Sequence, residues 1–111
     1  MIRGDVAATV EYGFDGIKLD GCGPQLNLTL WAGLFNQTGK AVLIENCHWG
    51  ADMGTPLKCP YHFARTSPDV SAWPAQWEKS FLNLQTMAYT NGFARPGCWG
   101  YPDMLETGNY S

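Results

Sequence analysis

Four residues stand out by type and spacing. Lys18 and Asp20 lie two apart in Ile17-Lys18-Leu19-Asp20, and Arg65 and Asp69 lie four apart in Arg65-Thr66-Ser67-Pro68-Asp69. In an extended segment residues two apart share a side, so Lys18 and Asp20 point together. Asp20 and Asp69 on strand ends of one sheet would make a pair of carboxylates across one bond. That pair is the standard equipment of glycoside hydrolysis: one attacks the anomeric carbon, the other protonates the leaving oxygen and later activates water. A Lys or Arg beside the attacking carboxylate keeps it ionised by lowering its pKa. The plainer reading of both pairs is an ion pair that serves structure alone.

The elements that must position these residues alternate between two periodicities. Ile2, Val6 and Val10 are four apart and predict a helix over 2–12. Gly13 stops it. Residues 14–20 read as a short buried strand, followed by a Gly-Cys-Gly-Pro turn at 21–24. Leu26, Leu30 and Leu34, with Trp31 and Phe35 beside them, predict an amphipathic helix over 25–38. Ala41-Val42-Leu43-Ile44-Glu45 predicts a second buried strand. Residues 46–62 read as a long loop, 63–67 as a third, very short strand, and Pro74 opens a further helix with Trp77, Phe81, Leu84 and Ala88 on one face. Residues 91–102 read as loop, and Asp103-Met104-Leu105 opens a new element. Strands alternating with helices predict an α/β fold with a parallel sheet, in which active sites gather at the strand ends. Asp20, Glu45 to His48 and Arg65 to Asp69 all fall there.

Composition narrows the function further. The 111 residues carry 7 Lys and Arg against 10 Asp and Glu, a net charge of −3, which argues against a nucleic-acid surface. No apolar run approaches the roughly 18 residues of a membrane span. Met1-Ile2-Arg3-Gly4-Asp5 carries no apolar signal region. No nucleotide-binding glycine pattern follows a strand. Of five Trp residues, Trp31, Trp73 and Trp77 are expected in packing, whereas Trp49 and Trp99 sit in loops beside Gly, where a sugar face could stack. Cys22, Cys47, Cys59 and Cys98 allow three full pairings. Cys47, His48, Cys59 and His62 also form a zinc alternative, although their spacing fits no standard finger. Three sequons, at Asn27, Asn36 and Asn109, together with the cysteines, favour an oxidising secretory compartment.

Four motifs now carry a resemblance. Tyr12 to Cys22 (Tyr-Gly-Phe-Asp-Gly-Ile-Lys-Leu-Asp-Gly-Cys) resembles the strand and turn around the nucleophile of the α-galactosidases, or melibiases, of glycoside hydrolase family 27. Asn46-Cys47-His48-Trp49-Gly50 resembles that family's Cys-Glu-Trp-Gly loop. Cys59, followed by Arg65-Thr66-Ser67-Pro68-Asp69, is similar to its Cys, Arg and acid/base Asp. Pro96 to Leu105 is similar to its Pro-Gly-Gly-Trp-Asn-Asp-Pro-Asp-Met-Leu motif. The likeness runs nearly end to end in the same order.

The resemblance implies a retaining double displacement on terminal α-linked galactose, with Asp20 as nucleophile and Asp69 as general acid/base. It implies that Lys18 and Arg65 hydrogen-bond the sugar and steady Asp20, and that Cys22, His48 and Trp99 border the pocket, with Asp103 and Met104 on its floor. It implies a Cys47–Cys59 disulfide, a glycan on Asn36, and secretion or a lysosomal or vacuolar home. No metal or organic cofactor is implied. The partner is an α-galactoside or related carbohydrate, with neither nucleic acid nor membrane. Two departures stand against the family pattern. His48 replaces a Glu that contacts a sugar hydroxyl, which leaves α-N-acetylgalactosamine and β-L-arabinopyranose as alternative sugars. Gly100-Tyr101 replaces Asn-Asp, and Cys98 replaces a Gly. The implied fold is a (β/α)8 barrel of roughly 250 residues. Residues 1–111 would then be a partial TIM barrel, about its fourth to seventh strands, inactive in isolation. A non-catalytic carbohydrate-binding remnant is the rival expectation.

Overall fold

A computed structural model describes residues 1–21, 26–47, 59–66, 69, 78, 81–82, 85 and 95–103. The elements are α1 (Ile2–Glu11), β1 (Gly16–Leu19), α2 (Leu28–Thr38), β2 (Leu43–Asn46), β3 (Phe63–Arg65) and β4 (Trp99–Tyr101). The four strands form one parallel sheet in the order β1-β2-β3-β4. Sequential parallel neighbours are the product of repeated βα units, as alternating periodicities predict.

Local chemistry explains the helix limits. Val6 of α1 is buried, with Ile2 and Val10 packed beside it. Asn27 caps α2, its Oδ1 accepting the Leu30 N–H at 3.0 Å. Gly39 closes α2 at φ +75°, a left-handed conformation that a Cβ would strain. Lys40 then reaches back to Asp15 at 2.8 Å, tying the start of β2 to the turn before β1.

The core lies between the helices and one sheet face. Leu28, Trp31, Leu34 and Phe35 of α2 meet Leu19, Ile44 and Ala64 of the strands. The stripe is rotated from the one that Leu26, Leu30 and Leu34 predict. Leu30 is 40% exposed, and Leu28 takes its place inside. Helical backbone is present at Glu78, Phe81, Leu82 and Gln85, with Phe81 and Leu82 exposed. Trp77, Leu84 and Ala88 of the expected face lie outside the described residues.

Two expectations are corrected here. Residues 99–101 are a strand, not loop. Three residues with a central Gly carry no strand signal of their own; pairing with β3 supplies it. Gly100 suits the place because a Cβ there would meet Thr66 Cγ2 at 3.2 Å. The second correction concerns sulfur. Cys59 bonds Cys98, with Cα atoms 6.1 Å apart, and Cys47 is a buried free thiol. The register explains why Cys47–Cys59 does not form. Asn46 pairs with Ala64, so Cys47 stands level with Arg65, at the C-terminal edge of the sheet. Cys59 precedes Phe63 by four positions and lies toward the opposite edge. A disulfide tolerates Cα separations of only about 7 Å. Cys98, by contrast, precedes Trp99, which pairs with Phe63, and the Trp99 N–H bonds the His62 carbonyl at 2.8 Å. The zinc alternative loses two donors by the same arrangement. Cys59 is in the disulfide, and His62 Nδ1 accepts the Ile44 N–H at 3.0 Å.

The disulfide spans 39 residues, which the loop-entropy relation converts to about 4 kcal/mol. Cys98→Ser is therefore expected to lower unfolding free energy by about that amount, read by denaturant titration. Cys47→Ala should leave the Cys59–Cys98 peptide pair intact in a non-reducing digest. A Cys47–Cys59 peptide in the wild-type digest would reverse the assignment.

Candidate active site

Strand register brings the chemistry to one face. Lys18 pairs with Glu45, Glu45 with Phe63, and Phe63 with Trp99. These four make a row across the sheet. Two positions further along each strand comes a second row, of Asp20, Cys47, Arg65 and Tyr101. The ladder carries through this level: the Cys47 N–H bonds the Leu19 carbonyl at 3.0 Å, and the Thr66 N–H bonds that of Tyr101 at 2.9 Å. Leu19, Ile44 and Ala64 face the other way, into the core. One face of the sheet is thus apolar and packed, and the opposite face holds the charges.

Asp20 is an exposed carboxylate under several stabilising influences. Its Oδ1 accepts the Gly21 N–H at 2.8 Å, and its Oδ2 lies 3.6 Å from Lys18 Nζ. The Gly21 bond does most to hold the Asp20 pKa below the usual carboxylate value, and Lys18, the Cys47 thiol and Arg65 add to it. Burial works against the charge on Lys18. Cys47, Glu45 and Asp20 outweigh it and push the ammonium pKa up. Burial pushes the Cys47 thiol up as well, against the pull of Arg65 and Lys18, so the thiol stays protonated.

Arg65 is the hub of the second row. Its side chain is only 7% exposed, and Nη1 lies 2.6 Å from Asp69 Oδ1 and 3.5 Å from Asp103 Oδ1. Asp69 is 66% exposed, whereas the Asp103 side chain is 11% exposed. Burial opposes the Arg65 charge, and Cys47, Asp69 and Asp103 more than offset it. Arg65 reaches Asp69 directly and Asp20 through its field. Across the same face the Tyr101 hydroxyl donates to Glu45 Oε1. Burial first, then Glu45, pushes the phenol pKa far up, so Tyr101 remains a donor.

The structure therefore brings Lys18, Asp20, Arg65, Asp69 and Asp103 to the C-terminal edge, with Trp99 54% exposed on the same face. Cys22, His48 and Met104 lie outside the described residues, as do Trp49, Trp73 and Asn109. Asn36 is exposed near the end of α2, in the helix layer and away from this edge. The Glu45–Tyr101 bond was not foreseen. The available signal was an acidic residue closing an apolar strand, two positions before Cys47.

A parallel α/β sheet with carboxylates, a lysine and an arginine gathered at its C-terminal edge is the arrangement of α/β enzymes that work at strand ends. No protein-family model matches the chain. Curated proteins do. A probable α-galactosidase of Dictyostelium discoideum is 27% identical over 117 residues, covering 95% of this chain and 28% of its own length. An α-N-acetylgalactosaminidase of Gallus gallus is 30% identical over 132 residues, covering 98% of this chain and 30% of its own. Alpha-galactosidase 2 of Arabidopsis thaliana is 27% identical over 111 residues, with 95% and 27% covered. The chain is a relative of the α-galactosidase and α-N-acetylgalactosaminidase family, and it spans under a third of the length of these relatives.

Proposed function

We propose that this chain carries the two catalytic carboxylates of a retaining glycoside hydrolase that releases terminal α-linked galactose. The observation that carries the reading is the edge itself: Asp20 beside Lys18 at the end of β1, and Asp69 on Arg65 at the end of β3. The relatives' names support the substrate class. In this reading the four parallel strands are about the fourth to seventh of a (β/α)8 barrel, and 1–111 is one stretch of that catalytic domain.

Asp20, kept ionised by the Gly21 N–H and its cationic neighbours, attacks the anomeric carbon. Asp69 in its acid form gives a proton to the leaving oxygen as the glycosidic bond breaks. A covalent galactosyl ester on Asp20 results. Asp69, now a carboxylate, takes a proton from water, which attacks the anomeric carbon, displaces the Asp20 carboxylate and frees galactose with its original anomeric configuration. Lys18 and Arg65 hold charge at the site through both steps. Two carboxylates suffice for this chemistry, with no resident metal or organic cofactor. The sequons and the Cys59–Cys98 disulfide support a secreted, lysosomal or vacuolar location. No described helix is long and apolar enough to cross a membrane.

The test follows the first-formed sugar by proton NMR during hydrolysis of 4-nitrophenyl α-D-galactopyranoside by the natural full-length polypeptide. α-Galactose appearing first supports double displacement, and β-galactose appearing first ends it. Asp69→Asn is expected to slow alkyl galactosides by about 10²- to 10⁴-fold and the activated aryl galactoside far less. Equal losses on both would remove the acid role from Asp69. The Gallus gallus relative favours a second reading, in which the sugar is α-N-acetylgalactosamine. Comparison of kcat/KM for the two 4-nitrophenyl glycosides decides between them.

A further inference from the structure

Two side chains on the site face have no part in the double displacement, yet they are joined to its groups. Glu45 sits beside Lys18, its register partner on the neighbouring strand, and its charge helps keep that lysine protonated. Tyr101 reaches across from β4 and donates to Glu45 Oε1. The phenol is itself well fixed. Its ring leans on Phe63 with centroids 5.9 Å apart, and its backbone carbonyl accepts both the N–H and the hydroxyl of Thr66, at 2.9 and 3.1 Å.

A carboxylate accepts at two oxygens, and one donor occupies Oε1. Glu45 therefore offers a held acceptor, and Lys18 a donor beside it, in the row next to Asp20. A sugar hydroxyl both donates and accepts, so neighbouring hydroxyls suit a neighbouring acceptor and donor. The carboxylate stands on the same face as Tyr101, level with Lys18 and two positions before Cys47.

We propose that Glu45, fixed by Tyr101, is the specificity-determining acceptor of this site and, with Lys18, grips a pair of adjacent free hydroxyls on the pyranose. This rests on the glycosidase reading above and names how that site selects its sugar. A site built to bond a hydroxyl rejects the analogue that lacks it, because its own polar groups are left unpaired.

The experiment uses the natural full-length polypeptide as wild type, Glu45→Gln and Tyr101→Phe. It reads kcat and KM for 4-nitrophenyl α-D-galactopyranoside, and calorimetric Kd for galactose and its monodeoxy analogues. Glu45→Gln is expected to raise KM about tenfold or more with kcat held within about threefold, since the bond is made in ground and transition states alike. Tyr101→Phe should raise KM by a smaller factor, because the acceptor remains but loses its anchor. Wild type should bind at least one monodeoxygalactose about tenfold more weakly than galactose, and Glu45→Gln should flatten that difference. Unchanged KM and Kd in a folded Glu45→Gln, or equal wild-type binding of every deoxy sugar, overturns the proposal. If Glu45→Gln fails to fold, Tyr101→Phe carries the test, and a KM and deoxy-sugar differences equal to wild type in that variant overturn the proposal. Galactose binding that depends on Glu45 without hydrolysis would sink the hydrolase reading and keep the acceptor. Hydrolysis indifferent to Glu45 would do the reverse.

Discussion

Asp20→Asn is expected to lower kcat/KM on aryl α-galactosides by about 10⁴-fold or more while leaving the fold in place. The amide keeps the shape and can still accept the Gly21 N–H, but it cannot form the glycosyl ester. Asp20 is more than half exposed, and its 3.6 Å contact with Lys18 is a weak surface pair. Little stability should therefore be lost, and a thermal midpoint within a few degrees of wild type checks that. A collapsed midpoint with no folded protein would make Asp20 structural. The same carboxylate sets a pH limit. Its folded pKa is lowered, so it stays ionised below the usual Asp value of about 3.9. The acid limb of kcat/KM should then fall below that value. Lys18→Met removes one of the lowering charges and should move the limb upward. The stability linkage has the same sign: what Asp20 contributes is present above its unfolded pKa and lost as pH falls through its folded one.

Arg65→Met should be the most destabilising single change at the site. The side chain is 7% exposed and bonded to two carboxylates. Asp69 is 66% exposed and returns to water when its partner goes. Asp103 is 11% exposed and cannot, so it is left as a buried charge without its arginine. Breaking a buried pair from one side costs about 3–5 kcal/mol, and the long 3.5 Å contact places this case near the lower end, about 3 kcal/mol. Urea titration of the variant reads the loss. Arg65→Met combined with Asp103→Asn should recover part of it, because the buried carboxylate that had faced the guanidinium is gone. A single-variant loss under about 0.5 kcal/mol would show that the guanidinium is not structurally required.

The parts of this molecule that were legible in the sequence are the local ones. Ile2, Val6 and Val10 mark α1, and the apolar runs ending at Leu19 and Glu45 mark β1 and β2 within a few residues. Lys18 and Asp20 share a side because a strand repeats every two residues, and nothing beyond the strand is needed to see it. What was missed depends on residues far apart in the chain. β4 becomes a strand only because β3 pairs with it. Cys59 finds Cys98 rather than Cys47 because register, not nearness in sequence, decides which sulfur is close. The Glu45–Tyr101 bond joins residues 56 positions apart. The buried stripe of α2 is set by where the helix lies over β1 and β2, so Leu28 goes inside and Leu30 does not.

The two rows across the sheet have a consequence for how such a chain can change length. Lys18, Glu45 and Arg65 alternate along their strands with Leu19, Ile44 and Ala64, which belong to the core. Loss or gain of one codon inside β1, β2, β3 or β4 would exchange the two faces of that strand downstream of the change. In β2 it would turn Asn46 toward the charges and Glu45 and Cys47 into the apolar layer under α2. The strands are accordingly intolerant of insertion or deletion at any position. The connections after them can grow or shrink and leave the rows intact. Variation in substrate choice among chains of this kind should accumulate as loop-length differences, with strand length held constant.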